Sequence, residues 1–255
     1  MRAVYSQLVT KGSHTVTVGA GGATQTSFNQ HGNAGNNSSF GSFISCTGGG
    51  YGAYNIAGKN DNHGGSGGGG QYGSPRTSWV DWITPRNNST PGTYQNAGFP
   101  LRWGGGGKGT ADEGHDGGQS QKAAYGQAGG GGAGETPIGG VYTMGGNGGD
   151  GLPNDFRTGS PEWYAGGGGG SAYREDQPNN ESLATDRTGQ GGRGGGGKGG
   201  QYLSSSVVVV STGGDAHTGS GGGGAEGHHS SDRNGYGGGS GIIVVRLPAR
   251  SPGGR

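Results

Sequence analysis

The sequence predicts a glycine-rich bundle of polyglycine II helices with short β-strands near the termini and almost no α-helix. Three observations carry that prediction. Glycine supplies 72 of the 255 residues and falls in runs, among them 67–70, 104–107, 129–132, 166–170, 194–197 and 221–224. Such runs break the triplet register of collagen, and Pro numbers only 10, so a collagen helix is excluded. Between the runs lie four Trp and 11 Tyr, residues that flexible Gly/Ser linkers do not carry.

The whole chain, 1–255, reads as one glycine-rich domain in three parts. Residues 1–63 form a strand-containing segment, in which Thr15-Val16-Thr17-Val18 alternates and Phe43-Ile44-Ser45-Cys46 has strand character. Residues 64–241 hold the glycine blocks, near 64–70, 104–109, 129–134, 145–151, 166–170, 189–200, 219–224 and 235–241. Their irregular separation excludes a fixed-period solenoid. The segments between blocks carry Pro75, Pro85, Pro91, Pro100, Pro137, Pro153, Pro161 and Pro178 and read as loops. Val207 to Val210 is a β-branched run, and Ile242-Ile243-Val244-Val245 opens the last part, 242–255, as a terminal strand.

A glycine run makes a poor α-helix or central strand, because Gly loses the most conformational entropy and brings no side chain to pack. The remaining regular option has three residues per turn and no internal hydrogen bonds. Its N–H and C=O groups point outward and need partners when buried, and neighbouring runs without side chains can supply them. Ordering costs roughly 1–2 kcal/mol per residue, and each net hydrogen bond returns roughly 0.5–1.5, so many runs must pair at once. Aromatics at block ends, such as Tyr72, Trp103, Tyr125, Trp163, Tyr164, Tyr173, Tyr202 and Tyr236, are expected to plug the bundle. In 191–200, Gly191, Gly194, Gly197 and Gly200 share one face while Arg193 and Lys198 fall on others, which predicts a run at the surface. The 166–170 run has no side chain on any face and is predicted at the centre.

Several function classes drop out. A net charge of +1 provides no field to gather nucleic acid or an anionic membrane. No apolar stretch approaches the roughly 18–20 residues of a membrane span, and no signal-like apolar core follows Met1-Arg2-Ala3. The single Cys46 rules out an intramolecular disulfide and reads as a small packed residue. With this much glycine, roughly five G-x-G-x-x-G matches arise by chance. Lys108 in its glycine loop is followed by Gly109 and not by Ser or Thr, and the G-x-S-x-G around Ser66 lacks the strand and helix of a nucleophile elbow. Residues 145–153 fit the calcium nonapeptide G-G-x-G-x-D-x-U-x once, with Asp150 at the acidic position, where stacked copies are needed. Asp112, Glu113, His115 and Asp116, and His217 with His228 and His229, lack a ligand spacing. No enzyme, cofactor or metal is expected.

Two stretches resemble a known group. Ser13-His14-Thr15-Val16-Thr17-Val18-Gly19-Ala20-Gly21-Gly22, followed by Ser38-Ser39-Phe40-Gly41-Ser42-Phe43-Ile44-Ser45-Cys46-Thr47-Gly48-Gly49-Gly50, looks like the start of glycine-rich domains in tailed-phage tail proteins. Gly239-Ser240-Gly241-Ile242-Ile243-Val244-Val245-Arg246 is similar to their close. The likeness extends to T-even-like tail-fibre tip adhesins, and it implies a virion attachment protein whose polyglycine II scaffold displays loops to a host-surface glycan or outer-membrane protein. Residues 1–12 are too few for a fibre-docking domain of the kind those adhesins carry. Under this reading Trp79, Trp82, Tyr94 and Phe99, with Asp81, Arg86 and Asn88, form the first recognition set, aromatic anchors with polar neighbours. Trp163 and Tyr164, with the charged Arg174, Glu175 and Asp176, form the second. The alternative expectation is a self-assembling virion component or extracellular filament, since short strands and glycine runs both expose backbone edges.

Overall fold

The computed structural model describes residues 1–26, 30–53, 62–70, 105–120, 126–141, 144–172, 186–204, 207–225 and 235–247. Among the described residues there is no α-helix, and regular β-structure is limited to strands of two to four residues. Strands β1 (Val16–Thr17), β2 (Ser38–Phe40) and β3 (Ile44–Cys46) make an antiparallel sheet in that order, with Val16 opposite Phe40 and Phe40 opposite Ile44. Strands β4 (Leu152–Asn154) and β5 (Glu162–Tyr164) form a hairpin within a segment the sequence marks as a loop. Pro153 sits opposite Trp163 there, which a two-stranded ribbon tolerates because each strand has a free edge. Strands β6 (Gln201–Ser204) and β7 (Val207–Val209) pair with an irregularity after Tyr202.

One expectation fails. Ile242-Ile243-Val244-Val245 forms no strand. β-Propensity expresses packing against a partner, and none of the described strands pairs with this segment.

Outside the strands, glycine runs lie side by side and bond at every third residue. The 165–172 run is the hub. Its N–H groups at 166, 169 and 172 donate to the carbonyls of 194, 197 and 200, and those at 167 and 170 to 149 and 146. Its carbonyls at 166 and 169 accept from 221 and 224, those at 167 and 170 from 192 and 189, and those at 168 and 171 from 130 and 127. The bonds repeat at every third residue, with neighbours in several directions. Gly166 to Gly170 are all buried, as expected for the central run.

The 189–200 block, read from the sequence as one run, is two. It reverses at Arg193–Gly195, where Gly194 and Gly195 have φ of 98° and 91°, and Gly196 and Gly199 bond back to Gly192 and Gly189. The single Gly-only face expected of Gly191, Gly194, Gly197 and Gly200 is split by this turn: Gly194, Gly197 and Gly200 meet the hub, Gly191 lies on the other run, and Arg193 is exposed.

Apart from such turns the described glycines of the runs keep ordinary φ, since positive values occur only in turns or bends. Glycine is required because the backbones touch. A Cβ on Gly167, Gly168, Gly169 or Gly170 would stand 2.1, 2.0, 2.0 and 2.1 Å from the carbonyl oxygens of Gly130, Gly222, Gly189 and Gln127. Among the described residues the buried apolar side chains are correspondingly few, namely Ala128, Ala133, Tyr164 and Ala172, and buried polar ones outnumber them. The core is hydrogen-bonded backbone.

Two consequences of the pairing matter for function. First, the runs 165–172, 126–133, 64–70, 47–53, 30–36, 19–25, 235–241 and 219–225 bond each to the next and the last to the first, closing a ring of eight. Inside it lies a cavity of about 1000 Å³. Second, the bundle has two unlike ends. The turns at 111–113, 133–135, 193–195 and 216–219 and the sheets β1–β3 and β4–β5 occupy one end. The bonds Ala53–Gly69, Gly70–Gly118, Gly70–Ala128, Gln127–Ser171, Ala172–Gly200 and Gly200–Gly224 run across the other.

Candidate functional site

The first recognition set, Trp79, Asp81, Trp82, Arg86, Asn88, Tyr94 and Phe99, lies outside the described residues, as do Arg174, Glu175 and Asp176 of the second. What is described is its footing. The chain departs at Gly70 and is next described at Gly105, beside the Gly68–Gly107 bond, on the end of the bundle that carries β6 and β7. Residues 53 and 62, 120 and 126, 172 and 186, and 225 and 235 bracket further connections that start and finish on that end.

Trp163 and Tyr164 belong to the opposite end. Alternation along β5 sends them to opposite faces. Tyr164 is only 7% exposed, and its hydroxyl donates to Glu162 Oε2 at 2.8 Å. Burial, and then the bond to Glu162, push its phenol pKa up. The ring is thus a plug for the hub, whose next residue, Ala165, turns the chain into the central run with φ of 60°.

Trp163 is half-buried, and the Arg193 guanidinium lies over its ring at 4.4 Å from the centroid, a cation–π contact. Arg193 Nε in turn donates to Asp150 Oδ2 at 2.7 Å, while the Arg193 backbone N–H donates to Asp150 Oδ1 at 2.8 Å. The Arg193 backbone N–H above all, with its side chain, holds the Asp150 carboxyl below its ordinary pKa despite partial burial. Glu162 is also 4.0 Å from Arg157, and Tyr5 meets Phe156 edge-on at 5.1 Å. The result is a surface of one indole, two guanidinium groups and two carboxylates.

The sequence did not join Asp150 to Arg193. The link follows from register: Gly145, Gly148 and Gly151 donate to the carbonyls of Arg187, Gln190 and Arg193. On the same column Asn147 Oδ1 and Asp150 Oδ1 accept the N–H groups of Gln190 and Arg193. The polar residues of the calcium-like nonapeptide are therefore spent on a neighbouring run, and both Asp150 oxygens are engaged.

Elsewhere the titratable groups act as fasteners. Glu113 Oε2 accepts the Thr47 N–H at 2.9 Å, and the Met1 ammonium donates to the Glu113 carbonyl. Burial lowers the pKa of that ammonium. Lys198 pairs with Asp186, which also accepts from Thr188 Oγ1 at 2.6 Å. Burial of Asp186 opposes ionisation, but Lys198 and Thr188 outweigh it and its pKa is lowered. Cys46 is half-buried in β3, and burial pushes its thiol pKa up. Among the described residues no three His, Cys, Asp or Glu gather as a metal site, and no helix is long and apolar enough to cross a membrane.

The model of a family described as "Glycine-rich domain" matches residues 2–248. The chain belongs to that family. The match takes in the N-terminal sheet, the glycine runs and the 242–247 segment together. No curated protein and no solved structure matches the chain.

Proposed function

We propose that this member of the glycine-rich domain family is a non-enzymatic attachment protein of a phage-like tail. In this reading its runs are polyglycine II helices that serve as a rigid mount for recognition segments. The observation that carries the proposal is the unlike pair of ends: the connections bracketed by 53 and 62, 70 and 105, 120 and 126, 172 and 186, and 225 and 235 all spring from one of them. Among the described residues buried polar side chains such as Glu113 and Ser120 are taken up in hydrogen bonds to backbone, so recognition chemistry is assigned to the ends. Trp79, Trp82, Tyr94 and Phe99, with Asp81, Arg86 and Asn88, are the contacts for a cell-surface glycan or outer-membrane protein. Trp163, mounted on Arg193, is a secondary contact at the other end, and Tyr164 supports it from within.

Replacing residues 71–102 with a short Gly-Ser linker tests this. Purified protein binds host cells, and the shortened variant, with an unchanged melting temperature, loses that binding. Equal binding by both proteins overturns the assignment of the site.

A second reading, self-assembly into a filament or virion component, is favoured by one observation. Val16 is 52% exposed on β1, the outer strand of its sheet, and Val18, Leu8 and Leu247 are 49, 83 and 76% exposed. Electron microscopy of the purified protein separates the two: discrete particles support the attachment reading, and long homopolymers the filament.

A further inference from the structure

The net charge of +1 gives the molecule no overall field, yet its charges are unevenly placed. All 16 acidic residues fall from Asp61 to Asp232. The described residues of 1–53 and 235–247 therefore carry Arg2, Lys11 and Arg246, all exposed, and no Asp or Glu. The fold joins these two stretches. Gly241 donates to the Gly19 carbonyl and Gly238 to that of Gly22, so residues 242–247 leave the bundle at the end where β1 enters it. Arg2 Nη1 donates to the Ser45 carbonyl at 3.2 Å and Tyr5 meets Phe156, which ties the first residues to the same end.

That end also carries exposed apolar side chains. Tyr5, Leu8 and Leu247 are 70, 83 and 76% exposed, and Val16, Val18 and Val245 about half so. A lone exposed Leu needs no explanation, but a group of apolar side chains interleaved with cations marks an interaction face. Arg2, Tyr5, Val245, Arg246 and Leu247 share one wall with no Asp or Glu on it among the described residues. Of the neighbouring carboxylates, Glu113 is 7% exposed and accepts the Thr47 N–H. On the β4–β5 hairpin, Asp155 and Glu162 are accompanied by Arg157, 4.0 Å from Glu162.

Charge decides what fits this face. A second copy would set Arg2, Lys11 and Arg246 against the same three cations, and like charges brought together oppose docking. The complementary surface is anionic. It must also accept Tyr5 and Leu8 from a segment, 2–13, whose N–H groups make no bond to another backbone carbonyl among the described residues. A bilayer interface meets both demands: its headgroups pair with Arg and Lys, its water satisfies open backbone groups, and apolar side chains enter the acyl boundary.

We propose that this end docks on the surface of an anionic lipid bilayer, with Arg2, Lys11 and Arg246 on the phosphates and Tyr5, Leu8 and Leu247 in the headgroup–acyl boundary. The inference stands apart from the attachment reading, whose first contacts leave from the other end.

The test is flotation of the full chain with vesicles of phosphatidylcholine alone or with about a third phosphatidylglycerol. The protein floats about tenfold more with the anionic vesicles, and about 1 M salt removes the difference. Lys11→Gln combined with Arg246→Gln lowers partitioning about twentyfold, since each cation near such a surface is worth about fivefold. Leu8→Ser combined with Leu247→Ser leaves the charge unchanged and lowers it about tenfold. Both double variants keep the parent's melting temperature, because the side chains project into solvent. Absence of flotation with anionic vesicles, or equal flotation with neutral ones, overturns the proposal. So does undiminished flotation of the Leu8→Ser, Leu247→Ser variant together with competition by soluble polyglutamate, which assigns the face to an acidic protein. An oligomer formed without lipid and dissolved by those two Ser substitutions also overturns it, and assigns the face to a second copy.

Discussion

Replacing Gly168 with Ala puts a methyl carbon 2.0 Å from the Gly222 carbonyl oxygen and 2.7 Å from its carbon. Neither is a side-chain tip that can swing away. Restoring ordinary contact, about 3.4 Å or more, moves the 219–225 run outward by about 1.4 Å. That displacement carries the Gly221–Gly166 and Gly224–Gly169 bonds, now 2.9 and 3.0 Å, out of hydrogen-bond range. Each lost bond that leaves a buried group unpaired costs about 1–3 kcal/mol, or about 2–6 for the pair. Ala returns about 0.4–1 kcal/mol by restricting the unfolded chain, so the net loss is about 2–5 kcal/mol. Against a total stability of about 5–15 kcal/mol that is large. Gly130→Ala is the matched comparison: its methyl finds neighbours no nearer than 3.6 Å, so it is expected to stabilise by about 0.4–1 kcal/mol. Urea unfolding followed by Trp fluorescence reads both. If the two substitutions move the midpoint by the same amount, glycine here serves something other than close approach of backbones, and the reasoning fails.

Ser120 is fully buried, its hydroxyl donating to the Gly70 carbonyl at 2.8 Å and accepting the Ala128 N–H at 2.9 Å; since that N–H also reaches Gly70, Ser120→Ala is expected to cost about 1 kcal/mol in the same assay. Because Asp150 has a lowered folded pKa, its contribution is complete above the unfolded carboxylate value, near 3.9, and is lost as pH falls through the folded value. Thermal melts from pH 6 to 2 therefore show a shallower acid decline in Asp150→Asn than in the parent, and identical slopes would refute the link to Arg193. With the Cys46 thiol pKa raised by burial, iodoacetamide at pH 8 alkylates the native protein more slowly than the urea-unfolded chain; equal rates would mean that β3 is open to solvent. Ala165→Gly relieves a φ of 60° and is expected to raise stability by under about 1 kcal/mol in urea melts.

Much of the scaffold was legible in the residues because its signal is one of omission. Only a run with no Cβ can bury itself against backbone on every side, and that alone marks 166–170 as the central run. Strand character at Val16, Ile44 and Val207 was legible from β-branched content, but Ile242 to Val245 has the same content and no ladder, because β-branched content does not by itself supply a pairing partner. The hairpin of β4 and β5 was hidden by Pro153 and by the glycine of its turn, both of which read as loop. The ion pair of Asp150 with Arg193, and with it the mounting of Trp163, depends on the register between two runs far apart in sequence, which neither run encodes by itself.

The sequence alone determined the kind of core: a chain with 72 glycines and so few large apolar residues must satisfy its buried groups with backbone hydrogen bonds. Tertiary structure decided which run lies beside which, because one three-residue repeat matches every other equally well and only chain connectivity and turn geometry break that degeneracy. From that choice come the closed ring, the cavity within it and the gathering of the connections on one end.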